Sequence, residues 1–276
     1  MLTSTGTQLS ERILLIGDIQ GKVQYIRAAF ELARSQGISR ILQLGDLGVL
    51  PVGKGFQLLN EINSLSLAYG IRFDFIDGNH EDFDQLDLFE KEADRAPDGS
   101  ILVRPNVHWW NRGSVTTIAG IRIGFLGGAV SMDRNDRIEG KSWWPQETLT
   151  LQQLDKLKLA SADGLDILVT HDVITSVNLL GDGKHRPPLL VKEAYKMRTL
   201  IDDAVVTLRP KLLIHGHWHI RHQTNAMVRG IKLKVHGLGS ESVFYGIAVL
   251  NLPECTVTSL NITKEETYKI LSKTTV

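Results

Sequence analysis

Only one cysteine, Cys255, occurs among the 276 residues, so no disulfide within the chain can staple the fold. No apolar run approaches the ~20 residues that a membrane-spanning helix needs, so no membrane partner is expected. An excess of one charge is missing too: 31 Lys and Arg balance 31 Asp and Glu, which removes the whole-molecule field that would draw the chain to nucleic acid or an anionic bilayer. The opening MLTSTGTQLSER has neither the basic stretch nor the long apolar segment of a secretory leader. Together with the lone cysteine, this predicts a reducing, cytoplasmic setting. Linkers rich in Pro, Ser or Gly, internal repeats and low-complexity tracts are absent as well. With 42% hydrophobic and 22% charged residues, the expectation is a single globular domain spanning 1–276 with a sizeable core.

What is present is an alternation of short apolar runs and amphipathic stretches. RILLIGD (12–18) reads as a strand, and Val23, Ile26, Ala29, Phe30 and Ala33 then recur at helical spacing until Gly37. RILQLGD (40–46), FQLLNEINSLSLAYG (56–70) and RFDFIDGNHE (72–81) continue the pattern as strand, helix and strand, a βαβαβ opening that favours a parallel sheet. VTTIAGIRIGFLGG (115–128) holds two β-rich runs meeting at Ala119-Gly120, a hairpin, so antiparallel strands join the fold. A polar loop (129–147), a helix from about 147 to 160, a strand at LDILVTHD (165–172), a helix over about 190–208 and a strand at KLLIHGHWH (211–219) follow. The tail alternates the β-rich runs IKLKVHG, YGIAVLNL and CTVTSLNI, which offer an edge for a homo-oligomer.

Five of these strands end in the same chemistry: Asp18 with Gln20, Asp46, Asn79 with His80, His171, and His217 with His219. The carboxyl ends of strands form the ligand crevice of open α/β sheets, so residues distant in sequence can converge there. Each alone is an ordinary turn or helix cap. In order, with oxygen and imidazole donors and no thiolate, they match a site for two divalent metals such as Mn²⁺, Mg²⁺, Fe or Zn²⁺.

Asp18-Ile19-Gln20, Gly45-Asp46, Gly78-Asn79-His80-Glu81, His171 and Gly216-His217-Trp218-His219 resemble the D-x-H, G-D, G-N-H-[DE], His and G-H-x-H motifs of the calcineurin-like metallophosphoesterase superfamily. The resemblance covers about residues 13–220, and the segment GGAVSMDRNDRIEGKSWWPQE is similar to bacterial and phage-encoded members. It implies an α/β fold, a four-layer α/β/β/α sandwich with mixed sheets and two metals at the strand ends. By position, Asp18, Gln20, Asp46 and His219 hold the first metal, and Asp46 bridges to a second held by Asn79, His171 and His217. Hydrolysis then follows attack on phosphorus by a metal-bridging hydroxide, with His80 assisting the leaving oxygen and Glu81 orienting the turn.

Gln20 departs from the motif. An amide oxygen in place of an imidazole leaves the charge unchanged, weakens the first site and favours Mn²⁺. Alternatively Gln20 bonds only backbone or water, leaving a three-ligand or mononuclear site. The expected substrate is a phosphodiester, such as a small 2′,3′-cyclic nucleotide. The rivals are a phosphomonoesterase or protein phosphatase, whose GDYVDRG motif is replaced here by GDLGVL, and a non-catalytic metal-binding scaffold. No extended nucleic-acid surface is evident.

Asn79, Arg134 and Arg137 are candidate substrate contacts, with Trp143 and Trp144 as stacking partners; alternatively the arginines pair with Asp133 and Asp136 and the tryptophans pin the loop. Lys184, His185 and Arg186 form a second basic lip or plain solvated surface. His215 is read as structural. His108 and His222 lack motif support, whereas His236 could approach the crevice beside the His217 turn. Trp109 and Trp110 are read as packing residues and Cys255 as a small buried apolar one.

Overall fold

The computed structural model describes residues 10–49, 54–179, 186–240, 246–260 and 262. In chain order the elements are β1 (Glu11–Ile16), α1 (Val23–Ser35), β2 (Arg40–Gln43), α2 (Lys54–Tyr69), β3 (Arg72–Phe75), α3 (Phe83–Glu92), β4 (Ile101–Arg104) and β5 (Val107–Trp109). The hairpin β6 (Val115–Ile118) and β7 (Ile121–Leu126) follows, then α4 (Leu151–Ala160), β8 (Ile167–Thr170), α5 (Pro188–Leu208) and β9 (Leu212–His215). β10 (His222–Val228), β11 (Ile231–Gly237), β12 (Ile247–Leu252) and β13 (Thr256–Ser259) complete the fold. Among the described residues no helix is long and apolar enough to cross a membrane.

The strands form two mixed sheets, ordered β13-β12-β1-β2-β3-β5-β4 and β10-β11-β9-β8-β7-β6. β1, β2, β3 and β5 run parallel, as do β7, β8, β9 and β11, while antiparallel neighbours flank both sets. Strand periodicity explains the layering. Successive side chains point to opposite faces, so a strand buried on both faces reads as one continuous apolar run. In β1, Leu14 and Ile16 pack against α1 and α2, whereas Ile13 and Leu15 face the other sheet. In β8 and β9, Leu168 and Leu213 meet α4 and α5, while Ile167, Val169, Leu212 and Ile214 turn inward. Three apolar layers thus lie between four layers of secondary structure, α/β/β/α. Trp110 and Phe125 tie the two sheets together, stacked with ring centroids 4.7 Å apart, and the Trp110 indole N–H donates to Asp74 at 2.8 Å.

The hairpin turns at Ala119 (φ 49°) and Gly120 (φ 79°), the paired left-handed geometry of a tight two-residue loop. Other boundaries move. β2, β3 and β9 stop at Gln43, Phe75 and His215, several residues before the metal-binding motifs end, because the motifs are turns beyond the ladder. α4 begins at Leu151 rather than near 147, since Thr150 and Gln153 form a capping box that starts it there. α3, β4, β5 and β10 escape the periodicity reading: α3 buries only Phe83 and Leu86, and β10 is exposed and polar along most of its length. Cys255 is half-buried in the turn between β12 and β13, not buried as expected.

The layered core predicts a sharp contrast. Leu15→Ala, between the sheets, should cost about 2–5 kcal/mol, whereas Leu189→Ala on α5, at 63% exposure, should stay within about 0.5 kcal/mol. Denaturant midpoints of the two variants measure the difference, and equal shifts would contradict this packing.

Candidate metal centre

Because β1, β2 and β3 in one sheet run parallel, as do β8 and β9 in the other, the turns that follow them gather at one end of the sandwich. There Asp18, Asp46 and His171, all buried, bring ligand atoms within 4.8 Å of one another. The turn after β1 is sewn to the turn after β2 by backbone bonds from Ile19 N (3.0 Å) and Gln20 N (2.9 Å) to the Asp46 carbonyl. Gln20, Asp46, His217 and His219 all have left-handed backbones (φ 53°, 57°, 67° and 56°), four of the eight such non-glycine residues among those described. Such conformations cost of order 1–3 kcal/mol each and persist only where the surroundings impose them.

Asp46 lies at the centre. Its Oδ1 accepts from the backbone N–H groups of Asn79 (2.8 Å) and His80 (2.9 Å), and its Oδ2 accepts from Gln20 Nε2 at 2.9 Å. Burial raises its pKa, but the field of His171, its hydrogen bond and the nearby His80 and His217 hold the carboxyl well below the usual range. Asp18 accepts from His217 N through Oδ1 (3.0 Å), and its Oδ2 lies 2.9 Å from His219 Nε2. A Cβ on Gly78 would sit 2.1 Å from Asp46 Oδ1 and 2.3 Å from Asp46 N, so only glycine lets the Asn79-His80 turn rest on that carboxylate. Glu81 holds the same turn from beneath, accepting from Gly78 N at 2.6 Å and Gly48 N at 3.2 Å.

His171 Nδ1 lies 2.7 Å from the Leu44 carbonyl and donates to it. Its Nε2 therefore turns into the cluster, 3.2 Å from Asn79 Oδ1 and 3.3 Å from Asp46 Oδ1. A backbone carbonyl on the far nitrogen is the usual partner of a metal-ligating imidazole. Burial opposes protonation, but the charge and hydrogen bond of Asp46, with Asp18 and the Leu44 carbonyl, push His171 up to about 10. The His217 ring packs 5.1 Å from that of His171, and burial lowers its pKa. Two buried carboxylates ringed by inward-facing imidazole and amide oxygen, with no thiolate, fit a hard-to-borderline divalent cation.

Around this cluster, Arg137 Nη2 lies against the His80 ring, 2.6 Å from Nδ1 and 2.9 Å from Nε2, and donates to Asp133 at 2.7 Å. Burial lowers the pKa of His80, Asp46 opposes this and Arg137 adds to the drop. Arg134 is not brought to the cluster: it pairs with Glu193 at 2.7 Å, rather than Asp136, and lies over the Trp143 ring. Trp144 is buried among residues of the β1–β3 side. Lys184 and His185 fall outside the described residues, while Arg186 lies over the Trp218 ring, whose N–H donates to Asp172. His215 is buried with its Nε2 2.9 Å from His222 Nε2, so His222 acquires a partner that no motif announces. His236 does not approach the crevice: it lines a small cavity with Leu212, Cys255 and Val257.

Sequence reasoning passed over Ser131 and Glu147. Asn79 Nδ2 donates to Ser131 Oγ at 2.9 Å, and Ser131 in turn donates to Glu147, a carboxyl that is 1% exposed and pushed up to about 8, chiefly by burial. A lone Ser and Glu inside a polar loop have no spacing that marks them.

A model of the family described as calcineurin-like phosphoesterase matches residues 11–221. Comparison with curated proteins returns no match. Among solved structures, the chain is similar to a protein from Thermus thermophilus (TM-score 0.56, 16% identity, covering 92% of this chain and 100% of that one). It is also similar to a dimetal phosphatase from Danio rerio (TM-score 0.55, 13% identity, 87% of this chain and 91% of that one). At such identities the likeness attests to the fold.

With His171 raised to about 10, the metal-free protein carries a proton on its imidazole at neutral pH, and a cation must displace it. Mn²⁺ affinity should therefore rise between about pH 6 and pH 8, with protons released on binding. Calorimetry in buffers of different ionisation enthalpy reads both; pH-independent binding without proton release would contradict the protonated His171.

Proposed function

Because the chain belongs to the calcineurin-like phosphoesterase family, we propose that the phosphoesters it hydrolyses are diesters, with small 2′,3′-cyclic nucleotides as the natural size class. The observation that carries this reading is the sparse positive charge around His80 among the described residues. Arg137 is a guanidinium lying against that ring, and Asp133 at 2.7 Å already faces it. The turn after Asp46 reads Leu47-Gly48-Val49 and supplies no arginine. A diester carries one negative charge and needs less countercharge than a monoester dianion, so the partly compensated Arg137 suits the diester.

Asp18, Gln20, Asp46 and His219 would hold one cation, and Asp46, Asn79, His171 and His217 a second. Divalent cations held there would polarise phosphoryl oxygens and acidify water. The oxygen-rich donor set favours Mn²⁺, with Mg²⁺, Fe and Zn²⁺ also compatible. The chain's own groups supply the rest. Asp46, kept ionised, provides fixed negative charge between the two ligand sets. Neutral His80 retains one ring N–H to hydrogen-bond the leaving oxygen, and Arg137 beside it orients the phosphoryl group. Gln20 reaches the shared carboxylate through its amide nitrogen. A half-turn of that amide presents its oxygen instead, so Gln20 serves either as a donor to Asp46 or as a weak oxygen ligand.

Metal-stripped protein restored with Mn²⁺ should turn over an aryl phosphodiester faster than the matching monoester, and His80→Ala should lower diester turnover by about 10²–10⁴-fold. Faster monoester turnover would replace the diester reading, and a folded, Mn²⁺-loaded protein that cleaves neither would point to a binding scaffold. Gln20→His should raise Zn²⁺ affinity more than Mn²⁺ affinity in a metal titration; an unchanged ratio would remove Gln20 from the first site.

A further inference from the structure

The two ends of an asparagine amide are nearly identical in shape and opposite in chemistry. Only Oδ1 can ligate a cation, and Nδ2 in its place would direct two N–H dipoles at the positive charge. Something must therefore select the end that faces inward. Asn79 is 2% exposed, its Oδ1 faces His171 Nε2 at 3.2 Å, and its Nδ2 donates to Ser131 Oγ at 2.9 Å. Ser131 cannot make that selection alone, because a hydroxyl both donates and accepts, and rotating its O–H toward Asn79 would favour the reversed amide. Glu147 fixes the direction from the outer side, while the His171 Nε2 at 3.2 Å from Oδ1 favours the same end from within. Glu147 Oε2 accepts the Ser131 proton, leaving the Ser131 lone pairs to face Asn79, which must then offer Nδ2. Ser131 donates to Oε2, so the direction holds when the carboxyl is ionised or carries its proton on Oε1.

The geometry points to a directional relay, in which Glu147 acts through Ser131 as the positioning residue that keeps the carbonyl end of Asn79 turned toward the second cation. This rests on the reading of Asn79 as a ligand of that cation. All three residues are buried, so water does not compete for the relay, and reversing it would leave a buried donor or acceptor unpaired. The relay also gives the 129–147 loop a role separate from Arg134, Arg137 and the tryptophans. Ser131 enters it just after β7, and Glu147 closes it in a short 3-10 turn, Pro145–Glu147.

Calorimetric Mn²⁺ titration of the full chain tests the assignment without reference to turnover. Ser131→Ala and Glu147→Leu should each weaken the second Mn²⁺ by about 10–100-fold while leaving the first unchanged, as loss of an outer-shell partner does. The double variant should bind no more weakly than either single one, because both act through one path. Glu147→Gln, whose amide can offer Ser131 either an acceptor oxygen or a donor N–H, should recover only part of the affinity. Should Glu147→Leu fail to fold, Ser131→Ala and Glu147→Gln carry the test. Two Mn²⁺ bound by Ser131→Ala as tightly as by the unaltered protein, or additive losses in the double variant, would overturn the relay. A single Mn²⁺ bound by the unaltered protein would instead overturn the two-cation reading on which it rests.

Discussion

Asp18 and Asp46 are both carboxylates, both buried, and lie within the reach of one cation. In a low-dielectric interior such a pair survives only if donors and positive charge surround it. The neighbouring structure supplies them: two amides from the Asn79-His80 turn and the Gln20 amide on Asp46, and the His217 amide and the His219 ring on Asp18. In the metal-free state His171 completes the balance by holding a proton. The centre thus holds an internal cation that an external one would have to displace.

That concentration of charge is feasible because the framework around it is apolar and layered. Parallel strands of both sheets end on the same side, so their turns meet without a long excursion of chain. The central strands are buried on both faces, and the layer joining the sheets, from Ile13 and Leu15 through Trp110 and Phe125 to Ile214, holds the two halves of the candidate ligand set in register. Asp18, Asp46 and Asn79 come from one sheet and His171, His217 and His219 from the other, so the centre exists only when the sheets pack.

A second tier of groups orients the ligands. The Leu44 carbonyl selects the His171 tautomer, Glu81 supports the turn that caps Asp46, and the absence of a side chain at Gly78 permits the close approach. Glu147 and Ser131 do for Asn79 what Leu44 does for His171. In each case a group with fixed hydrogen-bond direction removes an ambiguity that the ligand itself carries.

The strand-end residues Asp18, Asp46, Asn79, His171 and His217 are legible in the sequence because each closes an apolar run with a turn, a pattern local to a few residues. The layered α/β architecture is legible for the same reason, since strands buried on both faces leave continuous apolar runs. α3 and β10 are not, because one buries too few side chains and the other faces solvent, so neither leaves a periodic trace. Nor does the sequence disclose that Arg134 turns to Glu193 while Arg137 meets His80, that His215 pairs with His222, or that Ser131 and Glu147 stand behind Asn79. Those pairings join residues up to 59 positions apart through the directions of single side chains. Local sequence determined which groups are available for the chemistry; only the packing of the two sheets decided which atoms face one another, because hydrogen-bond direction is a property of three-dimensional placement rather than of order along the chain.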